Sequence, residues 1–152
     1  MKHGNIEAYT SVLTILETAA VASRGYEKGI GLLEASQALS RRRLIGALLK
    51  RLLSLNIHLI NLPGDTRMKL LREDVEMPAI FRESLSTALR VGMKSFDLIH
   101  LSAAKYAKET LKAPIQAFVT GDDDFLDQKD KLAKIADFPF LSPNEYASAL
   151  GL

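Results

Sequence analysis

The sequence predicts an α/β domain built around a mainly parallel sheet, and three observations carry that expectation. Short β-branched or apolar runs alternate along the chain with longer segments whose apolar residues recur at helical spacing. The breakers fall between these segments, as at Pro63-Gly64, Pro78 and Ser142-Pro143. The 152 residues, 47% of them hydrophobic, suffice for one compact core and are too few to expect two.

Residues 6–10 are partly β-branched and aromatic and predict a strand leading directly into a helix near Ser11. That helix, over residues 12–23, carries Val12, Leu13, Ile15, Leu16, Ala19, Ala20 and Val21 on nearly every side, so burial is expected. Residues 29–53 mix apolar and basic side chains at helical spacing, predicting one long or broken amphipathic helix pair. Asn56 marks a turn, and residues 57–62 alternate as a strand does before Pro63-Gly64. Asp65 then reads as the N-cap of a short helix through Leu71.

Pro78 suits the first turn of a helix that ends before Gly92. Ser95 can cap the following helix, which carries Phe96, Leu98, Ile99, Leu101, Ala103, Ala104 and Ala107. Residues 115–120 form an apolar run of strand length, fit for a buried parallel strand. Residues 138–141 suit a short edge strand, where proline is tolerated. Ser142-Pro143-Asn144-Glu145 has the spacing of a capping box for a last helix through Leu150.

The absence of cysteine from the sequence excludes disulfides, thiolate zinc sites and a cysteine nucleophile. No apolar stretch reaches the roughly 20 residues of a membrane span, and Met1-Lys2-His3-Gly4-Asn5 lacks a signal-type pattern. A soluble, cytoplasmic protein with no membrane partner is expected. The net charge of +2 does not announce a nucleic-acid binder. Arg41, Arg42, Arg43, Lys50 and Arg51 nevertheless gather in one segment and acids gather over residues 122–130, clusters that more often are solvated helix faces.

Three acidic positions stand out. Glu17 lies in an otherwise apolar segment, where an unpaired carboxylate would need a cation, a partner or a route to water. Asp97 interrupts an apolar helix together with His100 and Ser102. An acid in a first helical turn is already favoured by the macrodipole, and a lone histidine is more often a packing residue than a ligand. The strongest local signal is Phe118-Val119-Thr120-Gly121-Asp122-Asp123-Asp124-Phe125, an apolar run ending in three consecutive carboxylates.

Functional crevices of open α/β sheets lie beyond the carboxyl ends of strands, where these acids would sit. A divalent cation would relieve their mutual repulsion; a solvated turn with Asp122 or Asp124 capping a short helix explains the same residues without one. Carboxylate oxygens favour Mg2+ or Mn2+ over softer metals. Such a site suits phosphodiester hydrolysis. The chain has no Walker loop, nucleophile elbow or zinc-protease helix.

The order of these motifs resembles the PIN-domain family of metal-dependent ribonucleases, which includes the toxins of VapBC toxin–antitoxin pairs. Residues 11–17 resemble the segment carrying the family's second acid. Phe96-Asp97-Leu98-Ile99-His100-Leu101 resembles its aspartate-isoleucine-histidine-leucine helix, and Thr120-Gly121-Asp122-Asp123-Asp124-Phe125 its threonine-x-aspartate-x-aspartate-phenylalanine turn. Residues 140–146 resemble the closing strand and proline-capped helix. Residues 24–91 follow the element order without a motif.

The resemblance implies a three-layer PIN-like domain over residues 1–152, with Glu17, Asp97, Asp122 and Asp124 as metal ligands and Glu17, Asp97 and Asp122 as the catalytic set. It implies Mg2+- or Mn2+-dependent hydrolysis of RNA, a small antitoxin protein as partner, and a homodimer. Lys94, Arg41 and Arg43 are candidates to meet RNA phosphates. PIN domains usually begin with an apolar strand ending in a first aspartate ligand, whereas the first aspartate here is Asp65. The expectation is a domain incomplete at its N-terminus, its first strand encoded upstream. The alternative is a variant with an altered sheet and site, a non-catalytic binding or scaffold protein. A metal-dependent phosphatase using the same acids is a third reading.

Overall fold

The computed structural model describes residues 7–27, 40–55, 57–61, 64–70 and 72–151. The chain is α/β and divides into two compact units, Met1–Asn61 and Leu62–Leu152. The expectations for residues 29–39, for the turn at Asn56 and for Leu62, Pro63 and Leu71 lie outside the described residues, as does Ile6.

In the first unit, strand β1 (Ala8–Ser11) runs straight into helix α1 (Val12–Glu27). Helix α2 (Arg41–Ser54) then leads to strand β2 (Ile57–Ile60). β1 and β2 pair in parallel from Ala8↔Ile57 to Ser11↔Ile60. Tyr9 stacks on its register partner His58 at 4.9 Å between ring centroids, the cross-strand contact that favours aromatic pairs. The first strand and helix therefore fall where the sequence placed them, with α1 extending beyond Ser23.

The expected burial of α1 is not met. Ala22 is buried, but Leu16 remains 58% exposed and Val21 53%. α1 packs on α2 and β1 within its unit, and one helix with a two-stranded ladder covers only part of a helix that is apolar nearly all round.

The second unit opens with a hairpin. Strands β3 (Asp65–Leu70) and β4 (Glu73–Pro78) pair antiparallel, correcting the short helix expected from Asp65. Thr66 and Met68 are half-buried while Asp65, Arg67 and Lys69 are exposed, an alternation of period two. The partner strand matches it: Thr66 faces Met77 and Met68 faces Val75, while Arg67 faces Glu76 and Lys69 faces Asp74 on the other side. A seven-residue helix would be marginal alone, whereas the ladder satisfies both backbones at once.

Pro78 then serves as N-cap of helix α3 (Ala79–Ala88), and helix α4 (Ser95–Glu109) follows after a short connection. The cap of α4 falls on Lys94 rather than Ser95, with no side-chain cap bond. Two buried serines join α3 and α4. Ser84 Oγ lies 2.8 Å from the Ile80 carbonyl and 3.1 Å from Ser102 Oγ. Lys105 pairs with Glu83 at 2.6 Å across the same helices.

Strand β5 (Phe118–Val119) is shorter than expected and pairs in parallel with β6 (Phe140–Leu141). Its Val119 is exposed, because this ladder has two strands and leaves a face open. Between them lie α5 (Asp123–Leu126) and α6 (Lys129–Ala136). Helix α7 (Pro143–Leu150) begins with the expected capping box. Ser142 accepts from the Glu145 backbone N–H, and the Glu145 carboxylate accepts from that of Ser142.

The strands thus form three separate two-stranded ladders, two parallel and one antiparallel, among the described residues. The core of the second unit gathers Val91, Leu98, Leu101, Phe125, Leu132 and Phe140, among others. Phe125 stacks on Phe118 and Phe140, and the Phe118 and Phe140 rings meet at a tilt, with centroids 5.0–6.0 Å apart. That aromatic cluster fixes the β5–α5 turn relative to α4. No helix among the described residues is long and apolar enough to cross a membrane.

Candidate acidic site

The second unit brings three of the four expected ligands, Asp97, Asp122 and Asp124, within electrostatic reach of one another. Two pieces of local chemistry place them. Asp97 lies in the first turn of α4, whose Leu98 and Leu101 point into the core. Asp122 and Asp124 lie on the turn after β5, held by buried Phe125 immediately behind them.

The turn has its own hydrogen bonds. The Asp122 N–H donates to Thr120 Oγ1 at 3.1 Å, and Asp122 Oδ1 accepts from the Asp124 N–H at 2.9 Å. Asp122 is therefore the N-cap of α5, so the capping explanation of this motif holds for one of its oxygens. Asp123 is exposed.

Asp97 is less well provided for. The residue is only half-buried, yet its Oδ2 is shut away from solvent and finds no hydrogen-bond partner among the described residues. Burial pushes its carboxyl above the usual carboxylate range, and the negative charges of Asp122 and Asp124 push the same way. Lys94 and His100 act against this by attraction.

Lys94 supplies the local countercharge. Its Nζ lies 2.5 Å from Asp124 Oδ2, and this contact, followed by the charges of Asp124, Asp122 and Asp97, raises the ammonium above its ordinary value. Lys94 thus pairs with one of the three carboxylates and acts on the other two only through its charge. Sequence reading offered Lys94 for RNA phosphates and missed its ion pair with Asp124. Its position three residues before Asp97, at the cap of the same helix, was the available signal.

The donor chemistry suits a hard divalent cation: carboxylate oxygens alone, one of them buried without a partner. The convergence is incomplete, since no group of three or more His, Asp or Glu side chains is placed to hold a metal ion among the described residues. Glu17 is half-buried on α1, in the first unit. Arg43 is exposed on α2; the side chain of Arg41 lies outside the described residues.

No protein-family model matches this chain. No curated protein and no solved structure matches it either.

Proposed function

We propose that the chain is a PIN-type, three-layer domain whose acids serve a metal-dependent endoribonuclease, the toxin of a toxin–antitoxin pair. The observation that carries this reading is the buried, unpartnered Oδ2 of Asp97 in the field of Asp122 and Asp124. A buried carboxylate oxygen without a donor costs stability, and a cation at that oxygen would remove the cost. Asp97, Asp122 and Asp124 would hold Mg2+ or Mn2+; Glu17 joins them by resemblance alone, as do the antitoxin and the homodimer. The metal would supply Lewis acidity and activate water for attack on an RNA phosphodiester. The chain's own part is to fix the acids on rigid supports, Asp97 on α4 and the other two on the Phe125-anchored turn.

A second reading, a non-catalytic binding or scaffold protein, is favoured by two observations. No group of three acidic or histidine side chains is placed to hold one metal ion among the described residues, and Asp122 already caps α5. Incubating the protein with single-stranded and hairpin RNA separates the two. The nuclease reading expects cleavage with Mn2+ or Mg2+ that disappears with chelator and in Asp97→Asn. An Asp97→Asn protein that cuts as fast as the parent would sink it, as would a chain extended by the expected first strand that still cuts no RNA; a parent that neither cuts RNA nor binds Mn2+ would favour the scaffold.

A further inference from the structure

Lys94 stands where local physics disfavours it. It is the N-cap of α4, and its carbonyl accepts from the Leu98 N–H at 3.0 Å. A lysine side chain offers no acceptor to the free N–H groups of a helix start, and the macrodipole there favours anions over cations. No side-chain cap bond is made, and Ser95, the residue that could supply one, stands one position inside the helix.

The groups that offset this cost lie on the turn after β5. Lys94 Nζ meets Asp124 Oδ2 at 2.5 Å, and the charges of Asp122 and Asp97 attract it as well. Both ends of the contact rest on backbone that the core holds in place. Val91 belongs to the same buried cluster as Phe125, and Met93 packs against it. The contact itself is wet, with 77% of the Lys94 side chain and 44% of that of Asp124 exposed. The supports therefore keep an ammonium beside the carboxylates, while solvent leaves its bond to Asp124 weak enough to exchange.

We propose that Lys94 is an internal competitor for the divalent cation, holding Asp124 until Mg2+ or Mn2+ takes that carboxylate from it; this rests on the metal-site reading above. An ammonium so close to a ligand carboxylate repels an incoming dication and gives the carboxylate a bond that the metal must replace. With Asp124 drawn to Lys94, the three acids act on one another by charge but are not placed to hold one ion among the described residues. Lys94 thus sets a threshold: the site fills at a higher metal concentration than the same carboxylates would need without it. By linkage the opposition is mutual, and a bound metal loosens Lys94 from Asp124.

Mn2+ binding to the full chain at neutral pH, read from the loss of the electron paramagnetic resonance signal of free Mn2+, tests this without RNA or cleavage. Lys94→Gln and Lys94→Met should each lower the Kd at least about threefold, the scale of an exposed ion pair. Methionine brings no oxygen, so tightening in both variants is not the gain of a new ligand. Lys94→Arg keeps the cation and should bind no more tightly than the parent. Lys129→Gln removes the same charge from a lysine that answers Glu145 and Asp130, and should leave the Kd within about 1.5-fold. Circular dichroism should show the Lys94 variants folded, since the side chain they alter is exposed.

A parent that binds too weakly to measure, beside Lys94→Gln and Lys94→Met chains that bind, would be the expected result in a stronger form. An unchanged or raised Kd in those two variants would overturn the inference while leaving the metal reading intact, as would equal tightening in Lys94→Arg. Mn2+ bound by none of these proteins would overturn both.

Discussion

Asp97→Asn should stabilise the metal-free protein at neutral pH and destabilise it relative to the parent once metal is added. The buried Oδ2 lacks a donor, and Asp122 and Asp124 repel the charge it carries. Asparagine keeps a polar atom in that place but removes the charge, relieving the desolvation and the repulsion that act on the carboxylate; with Asp97 half-exposed, solvent screening holds the expected gain to roughly 1 kcal/mol. For a chain of this size that is a rise in Tm of about 2–4 °C, measurable by thermal melts in EDTA.

The sign with pH follows from the raised carboxyl. The folded parent holds its Asp97 proton more tightly than the unfolded chain, so parent stability falls as pH rises from the ordinary value of 3.8 through the raised folded value. The variant's advantage is therefore full above that folded value and fades as pH drops toward 3.8. Adding Mn2+ at ten times its Kd should stabilise the parent by about 1.4 kcal/mol and leave the variant unmoved, reversing the order. An Asp97→Asn protein no more stable than the parent at pH 7 in EDTA, or an advantage that grows on acidification, would refute the account of Asp97 as a strained carboxylate.

Other perturbations probe the scaffold beneath the acids. Phe140→Ala empties the centre of the aromatic cluster that holds the β5–α5 turn and should cost about 3–5 kcal/mol in urea unfolding, with the turn's acids losing their support. Ser142→Ala removes half of the capping box and should cost about 1 kcal/mol. Glu145 is held down to about 2 by Lys129 and the Ser142 groups. Its contribution is present above the ordinary 4.5 and lost as pH falls through about 2, so Glu145→Gln should erase that part of the acid titration of stability. Glu76→Gln breaks only an exposed pair with Arg67 at 3.7 Å and should shift stability by less than about 0.5 kcal/mol in the same melts.

Legibility from sequence varied with how local the deciding physics was. The α7 capping box was fully readable, because Ser142, Pro143 and Glu145 satisfy one helix end among themselves. The strand-to-helix passage at Ser11 and the start of α3 at Pro78 were readable for the same reason. The 65–78 hairpin was not. Asp65 after Pro63-Gly64 carries a helix-start signal, and only pairing with Val75 and Met77, in a strand that the sequence did not announce, turned Thr66 and Met68 into a strand face.

For the candidate site, the sequence by itself determined which residues are acidic and that two sets of them follow apolar segments. It also determined that a hard cation would be the one to suit them. The Asp122 cap of α5 is local, whereas tertiary structure decided what the other two carboxylates face: Asp124 on Lys94, and Asp97 with one oxygen sealed from water and without a donor. The reason is that charge and capping potential belong to a residue and its neighbours in sequence. Desolvation and the field of other carboxylates depend instead on which helix and which turn the Phe118, Phe125 and Phe140 cluster packs together.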